Sequence, residues 1–219
     1  MEIINDPTYE YAKKANEDAI SFIDFLWQQG FRVFGLGGSD SHNLIDESYE
    51  GADEPSVPGD PATLVYMDGM TPSKLLKAVS KGHVIVARYI TMEVYFLFEN
   101  KKYLPGDRIE ITGDSEFKND IVASVTIKIN EETYGKNIIP ELYLIENGVK
   151  REVWLEKRDE RTYMADVVTN WHSIEWEWKR FEVLSKDYGF LGYVNPIFHG
   201  RKKSKLKTFG EAVQLWRGQ

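Results

Sequence analysis

The stretch Ile121-Val-Ala-Ser-Val-Thr-Ile-Lys-Ile129 decides the fold. Its odd-numbered positions are apolar (Ile121, Ala123, Val125, Ile127, Ile129), while Ser124, Thr126 and Lys128 alternate with them. A period of two is the mark of a strand with one face on a core. The same texture recurs in Met92–Phe98, Glu141–Ile145, Val153–Leu155 and Thr162–Val168. Turn chemistry separates these runs, notably at Pro105-Gly106-Asp107 and Glu146-Asn147-Gly148. Successive strands with no helix between them predict an antiparallel β-sandwich over residues 91–200.

Upstream the pattern changes. From Tyr11 to Trp27, Ala12, Ala15, Ala19, Ile20, Phe22, Ile23 and Leu26 recur at three- and four-residue spacing. That spacing predicts an amphipathic helix, ended by Gly30. Arg32–Leu36 reads as a short buried strand running into the glycine-rich loop, and residues 43 to 61 as a long acidic surface loop. A strand over Thr63–Met67 follows. Thr71-Pro72 then supplies an N-cap and a first-turn proline, Gly82 a stop, and Val84–Ala87 the next strand. The expected class is α+β: a partial α/β region over 1–90, the sandwich over 91–200, and a basic C-terminal tail over 201–219.

Composition narrows the function. A chain of 219 residues, 42% hydrophobic and 13% aromatic, can fill a real core. The net charge of -8 argues against a general nucleic-acid partner, because phosphate neutralisation rewards a basic surface. There is no cysteine, so any metal must rest on His, Asp, Glu or water. The opening has no basic, apolar leader pattern and no later run approaches a membrane span, which predicts a cytoplasmic protein with no membrane partner.

Two other patterns have competing readings. Trp171, Trp176, Trp178 and Phe181 suit either a carbohydrate-stacking platform or one buried strand face, and the core reading is preferred. The run Arg201-Lys202-Lys203-Ser204-Lys205-Leu206-Lys207 suits an acidic partner or, more simply, a solvated tail.

The site candidate is Gly37-Gly38-Ser39-Asp40-Ser41-His42. Asp40 and His42 are one residue apart, so on extended backbone both side chains point the same way and two ligands converge. A carboxylate with an imidazole suits Zn, Mn or Fe, ions that activate water and polarise a phosphoryl oxygen. Gly37 and Gly38 would allow unusual backbone angles and leave space above the ion. The competing reading is a Gly-Ser-Asp turn with His42 exposed by chance. His83, His172 and His199 form no His-x-His or helical pair, so the visible ligands number two where catalysis needs three.

Gly35-Leu-Gly-Gly-Ser-Asp-Ser-His42, preceded by Asp6-Pro-Thr-Tyr and an amphipathic helix, resembles the final metal-binding strand of PHP (polymerase and histidinol phosphatase) domains. Pro61–Met67, Thr71-Pro72 and Tyr193-Val-Asn-Pro-Ile197 are similar to later segments of the CehA/McbA-like metallohydrolases in that family. The resemblance implies a distorted β/α barrel carrying divalent ions and hydrolysing phosphoesters, with Asp40 and His42 as the last two metal ligands. The family's opening His-x-His and its mid-barrel Glu and His have no counterpart here. By the resemblance this chain is the C-terminal portion of such an enzyme, inactive alone, whose partner is an N-terminal PHP segment or another copy. The alternative is a non-catalytic sandwich module for binding or scaffolding, with carbohydrate as its ligand.

Overall fold

The computed structural model describes residues 1–42, 50–52, 54–110, 120–131, 133, 136–172 and 175–218. Its class is α+β, with mostly antiparallel sheets and few helices. The chain runs β1 (Glu2–Asn5), α1 (Glu10–Gln28), β2 (Leu36–Gly38), β3 (Ala62–Val65), α2 (Pro72–Lys81), β4 (Val84–Ala87), β5 (Ile90–Phe98), β6 (Lys101–Tyr103) and β7 (Arg108–Ile109). Next come β8 (Asp120–Ile129), β9 (Glu141–Glu146), β10 (Val149–Val153), β11 (Glu156–Lys157), β12 (Thr162–Asn170), β13 (Trp176–Ser185), β14 (Gly189–Val194), β15 (Ile197–Gly200) and α3 (Phe209–Arg217). Among the described residues no helix is long and apolar enough to cross a membrane.

The decisive stretch is the middle of a five-stranded sheet ordered β11-β12-β8-β5-β6. β8 is antiparallel to β12 on one side and to β5 on the other. The inward row of Ile121, Ala123, Val125 and Ile127 is fully buried, as the alternation predicts. That face packs on a larger sheet of eight strands, ordered β10-β9-β13-β14-β4-β3 with β15 and β7 attached to β13. Val94, Phe96, Leu142, Leu144, Phe181 and Val183 interlock between the two sheets. The opposite face of the larger sheet carries Val86, Ile145, Trp178, Tyr193 and Phe198, which meet Ile3, Ile4, Ile23 and Trp27 from β1 and α1. The molecule is therefore layered: small sheet, large sheet, then a β1–α1–β2 unit.

Residue 90 is the point at which the chain leaves the large sheet for the small one. The large sheet itself continues across it, because β4 pairs with β14 through Val86↔Tyr193 and Ala87↔Gly192. Strands β4 and β13 are covered on both faces, which erases their period of two. In β13, Trp178 faces α1 while Phe181 faces the small sheet. The aromatic run is thus core: Trp171 and Trp178 are buried, and the Trp176 indole donates to Trp27 O at 2.7 Å. None of the three forms an exposed stacking platform.

Local chemistry accounts for the helices and turns. Thr71 caps α2 by accepting from Lys74 N at 3.3 Å, Pro72 opens it, and Gly82 closes it at φ 76°. Asn147 and Gly148, both at positive φ, make the tight turn from β9 to β10. Two expectations change. The segment expected as a tail ends in α3, which lays Ala212, Val213 and Trp216 on Phe22, Phe25 and Leu26 of α1. Its spacing of Phe209, Ala212, Val213 and Trp216 is helical. The strand expected over Arg32–Leu36 lies instead at Leu36–Gly38. Residues just before it satisfy their backbone groups with side chains: Trp27 Nε1 donates to Val33 O at 2.7 Å, and Asn195 takes both polar groups of Gly35 at 2.8 and 3.0 Å. The acidic loop expected over 43–61 falls in part outside the described residues; its 54–61 portion runs beside the site.

Candidate metal half-site

β1, α1 and β2 form a βαβ unit, with β1 and β2 parallel and Asn5 opposite Gly38. Both strands therefore end at the same rim, where Asp6 follows β1 and Ser39-Asp40 follow β2. Thr63 of β3 holds this end from below: its hydroxyl donates to Gly37 O at 2.7 Å and accepts from Gly37 N at 3.0 Å. A Cβ at Gly37 would stand 2.7 Å from Val86 Cγ1 and 2.9 Å from Ile4 O, so only glycine lets β2 lie between β1 and β4. Gly38 has open space around it. Gly37 thus serves close packing, and the unusual backbone angle falls on Asp40 instead.

Asp40 has φ +50°. The backbone is not extended there as expected, yet the two side chains still converge. Asp40 Oδ1 and His42 Nε2 lie 3.1 Å apart, with the His42 side chain 71% and the Asp40 side chain 48% exposed. The loop that carries them is pinned from beneath by buried Ser56, whose hydroxyl donates to Ser39 O at 2.6 Å while Ser41 Oγ donates to Ser56 O at 2.6 Å. The pair is thus presented to solvent on a fixed base.

Positive φ at residues other than glycine is costly, by about 1–3 kcal/mol, and concentrates at functional sites. Among the described residues such angles occur at Asp6, Asp40, Tyr89, Glu99, Asn100 and Asn147. The last three belong to the β5–β6 and β9–β10 turns. The first three stand directly beyond β1, β2 and β4, at one end of the layers. This shared rim is where strain collects.

Further polar groups gather there, of which the motifs quoted above include only Asp6 and Thr8. Thr8 Oγ1 donates to Asp6 Oδ1 at 2.5 Å. Glu54 accepts from Arg88 and Lys136, and from Tyr89 OH at 2.5 Å. Burial pushes the Glu54 carboxyl up, but the hydrogen bonds from Lys136 and Tyr89 outweigh it and hold it below the usual range. Burial raises the Asp60 carboxyl, although it accepts from Tyr89 N at 3.0 Å. Burial, with Glu54 beside it, also pushes the Tyr89 phenol up. A cavity of about 760 Å³ opens beside this cluster, with Thr8, Glu54, Arg88, Lys136 and Tyr188 on its wall. For Arg88 and Tyr89 the one local sign is their place just after the strand-like run Val84–Ala87.

The other histidines are engaged elsewhere. His83 Nε2 lies 3.0 Å from Asp107 Oδ1, His172 Nδ1 lies 3.6 Å from Glu177 Oε2, and buried His199 donates from Nδ1 to Ile109 O at 3.1 Å. Among the described residues no group of three or more His, Cys, Asp or Glu side chains is arranged to hold an ion. Asp40 and His42 are a pair, not a complete shell.

No family model and no curated protein matches the chain. Among solved structures it is similar to the N-terminal domain of PorA, at 9% identity over 51% of this chain and 100% of that one, with a TM-score of 0.20. A likeness at that score carries no argument about fold or function.

Proposed function

We propose that this chain is the C-terminal portion of a PHP-type metal-dependent phosphoesterase, in which Asp40 and His42 supply two ligands of a divalent ion. The observation that carries the reading is the 3.1 Å between Asp40 Oδ1 and His42 Nε2 on an exposed, pinned loop. Two donors each ~2.1 Å from one ion stand ~3.0 Å apart at the right angle of an octahedral shell and ~3.4 Å apart at the tetrahedral angle of zinc. The pair therefore has the spacing of adjacent ligands. Their place at the C-terminal end of a parallel βαβ unit is where β/α barrels carry their chemistry.

The same unit supports a partner. Parallel strands normally sit inside larger sheets covered on both faces. β1 and β2 pair only with each other among the described residues. Further parallel strands, carrying the remaining ligands, would come from an N-terminal PHP segment or from another copy. A bound Zn, Mn or Fe ion would activate water and polarise a phosphoester oxygen. This chain's part is to hold the ion from one side, so it is inactive alone.

Calorimetric titration with Zn²⁺ and with Mn²⁺ tests the reading. The wild-type chain binds one ion, and Asp40→Asn and His42→Ala each weaken binding by at least about tenfold. Identical titrations for the three proteins would remove the half-site, and with it the phosphoesterase reading.

A further inference from the structure

On the far side of the molecule, Trp154 joins β10 to β11 with its side chain turned outward. It is 87% exposed, whereas its neighbours Val153 and Leu155 pack against the core. With Val153 and Leu155 turned inward on either side of it, the indole is aimed at solvent, and the ring is not a core residue that failed to find a place. It borders a cleft of about 530 Å³ between β10 and the edge of β12, where Met164 to Val168 line it in succession. That size lies within the range of small-ligand sites.

The rest of the lining sets the chemistry. Arg158 pairs with Glu156 at 2.8 Å, and Glu152 and Asp166 add two carboxylates that accept no hydrogen bond among the described residues. Val168, 63% exposed, extends the apolar floor. Its cross-strand neighbour is Val122, which is itself opposite Leu97. An exposed indole face beside planar donors and acceptors complements a pyranose ring. The C–H face of the sugar lies on the indole, and its hydroxyls donate to carboxylates and accept from the guanidinium. Acids and arginines are mixed along the cleft, which favours a neutral polyol over a polyanion or polycation. At the β10 edge, strand addition by a peptide is opposed by the charges of Lys150, Arg151 and Glu152; β12 is paired by β11 only at Tyr163 and Met164, so an extended peptide along its open edge is the competing occupant.

We propose that this cleft binds a neutral oligosaccharide, with Trp154 as the stacking platform. The site is independent of Asp40 and His42. Titration of the full chain with cellohexaose, maltohexaose, xylohexaose and mannohexaose, followed by NMR of the indole N–H signals, tests it. At least one sugar binds saturably; Trp154→Ala weakens that binding by about tenfold or more, Trp154→Phe retains most of it, and Asp40→Asn changes nothing. An unchanged melting temperature for Trp154→Ala confirms that the variant is folded, as expected for so exposed a side chain. Failure of all these sugars to bind, equal binding by Trp154→Ala, or saturable binding of an extended Thr-Val peptide in their place would overturn the proposal.

Discussion

β8 and β2 show how differently two parts of this chain satisfy their backbones. β8 has a continuous ladder on both sides, Asp120 to Lys128 against β12 and Val122 to Ile129 against β5. β2 has three paired residues on one side only, with a register shift in its partner, and side chains complete the work around it. Thr63, Asn195 and Ser56 hold the Gly35–Ser41 region by hydrogen bonds that no regular ladder would leave room for. The regular layers carry the stability. The irregular rim carries exposed polar groups and the strained residue Asp40.

The largest effect is expected in the regular layers. Trp178→Ala removes a fully buried indole packed on Trp27 with ring centroids 5.1 Å apart. It should cost ~3–5 kcal/mol in denaturant unfolding. A cost under ~1 kcal/mol would mean that the α1 layer is not docked on the large sheet.

Next comes the joint between the regions. Asn195 is fully buried and bonds to both backbone groups of Gly35 and, at 3.3 Å, to Val84 O. Asn195→Ala leaves buried partners unmet and should cost about 2–3 kcal/mol, while also disturbing the amide signals of Gly35–His42. Stability lost without change in those signals would separate the joint from the site.

A pH effect is expected at Glu146 of β9, between the two sheets. Burial pushes the Glu146 carboxyl up, but hydrogen bonds from Lys179, at 2.5 Å, and Thr169 outweigh it and hold it at about 2. A folded value below the ordinary 4.5 gives stability that is fully present above that pH and is lost as pH falls towards 2. Denaturant midpoints measured through this window should fall in the wild type and stay flatter in Glu146→Gln, whose overall stability is lower because buried Lys179 loses the nearer of its two carboxylates, keeping Glu177 at 4.0 Å.

The smallest change in stability is expected at the rim. Asp40→Gly relieves the φ of +50° and should leave unfolding within about 1 kcal/mol of the wild type, or slightly above it, while abolishing ion binding. A loss of several kcal/mol there would make Asp40 a structural residue.

The same contrast governs what the sequence discloses. β5, β8 and β12 alternate because one face is buried and the other wet, so their strands are legible from period two. β4 and β13 are buried on both faces, so β13 shows only as a tryptophan-rich run. β14 and β15 carry Gly189, Gly192 and Pro196 in or beside them, which masks their strand character. Asp40 and His42 are legible because their convergence is local. Asp6, Glu54, Asp60 and Arg88 are brought to one rim only by the pairing of distant strands, which no short window of sequence contains.

The half-site is tested most directly by Mn²⁺ broadening of the histidine side-chain NMR signals. The chain has four histidines, which serve as internal controls. His42 should broaden first, at substoichiometric Mn²⁺, and this selectivity should vanish in Asp40→Asn. Equal broadening of His42, His83 and His172, or no change between the wild type and Asp40→Asn, would contradict the account.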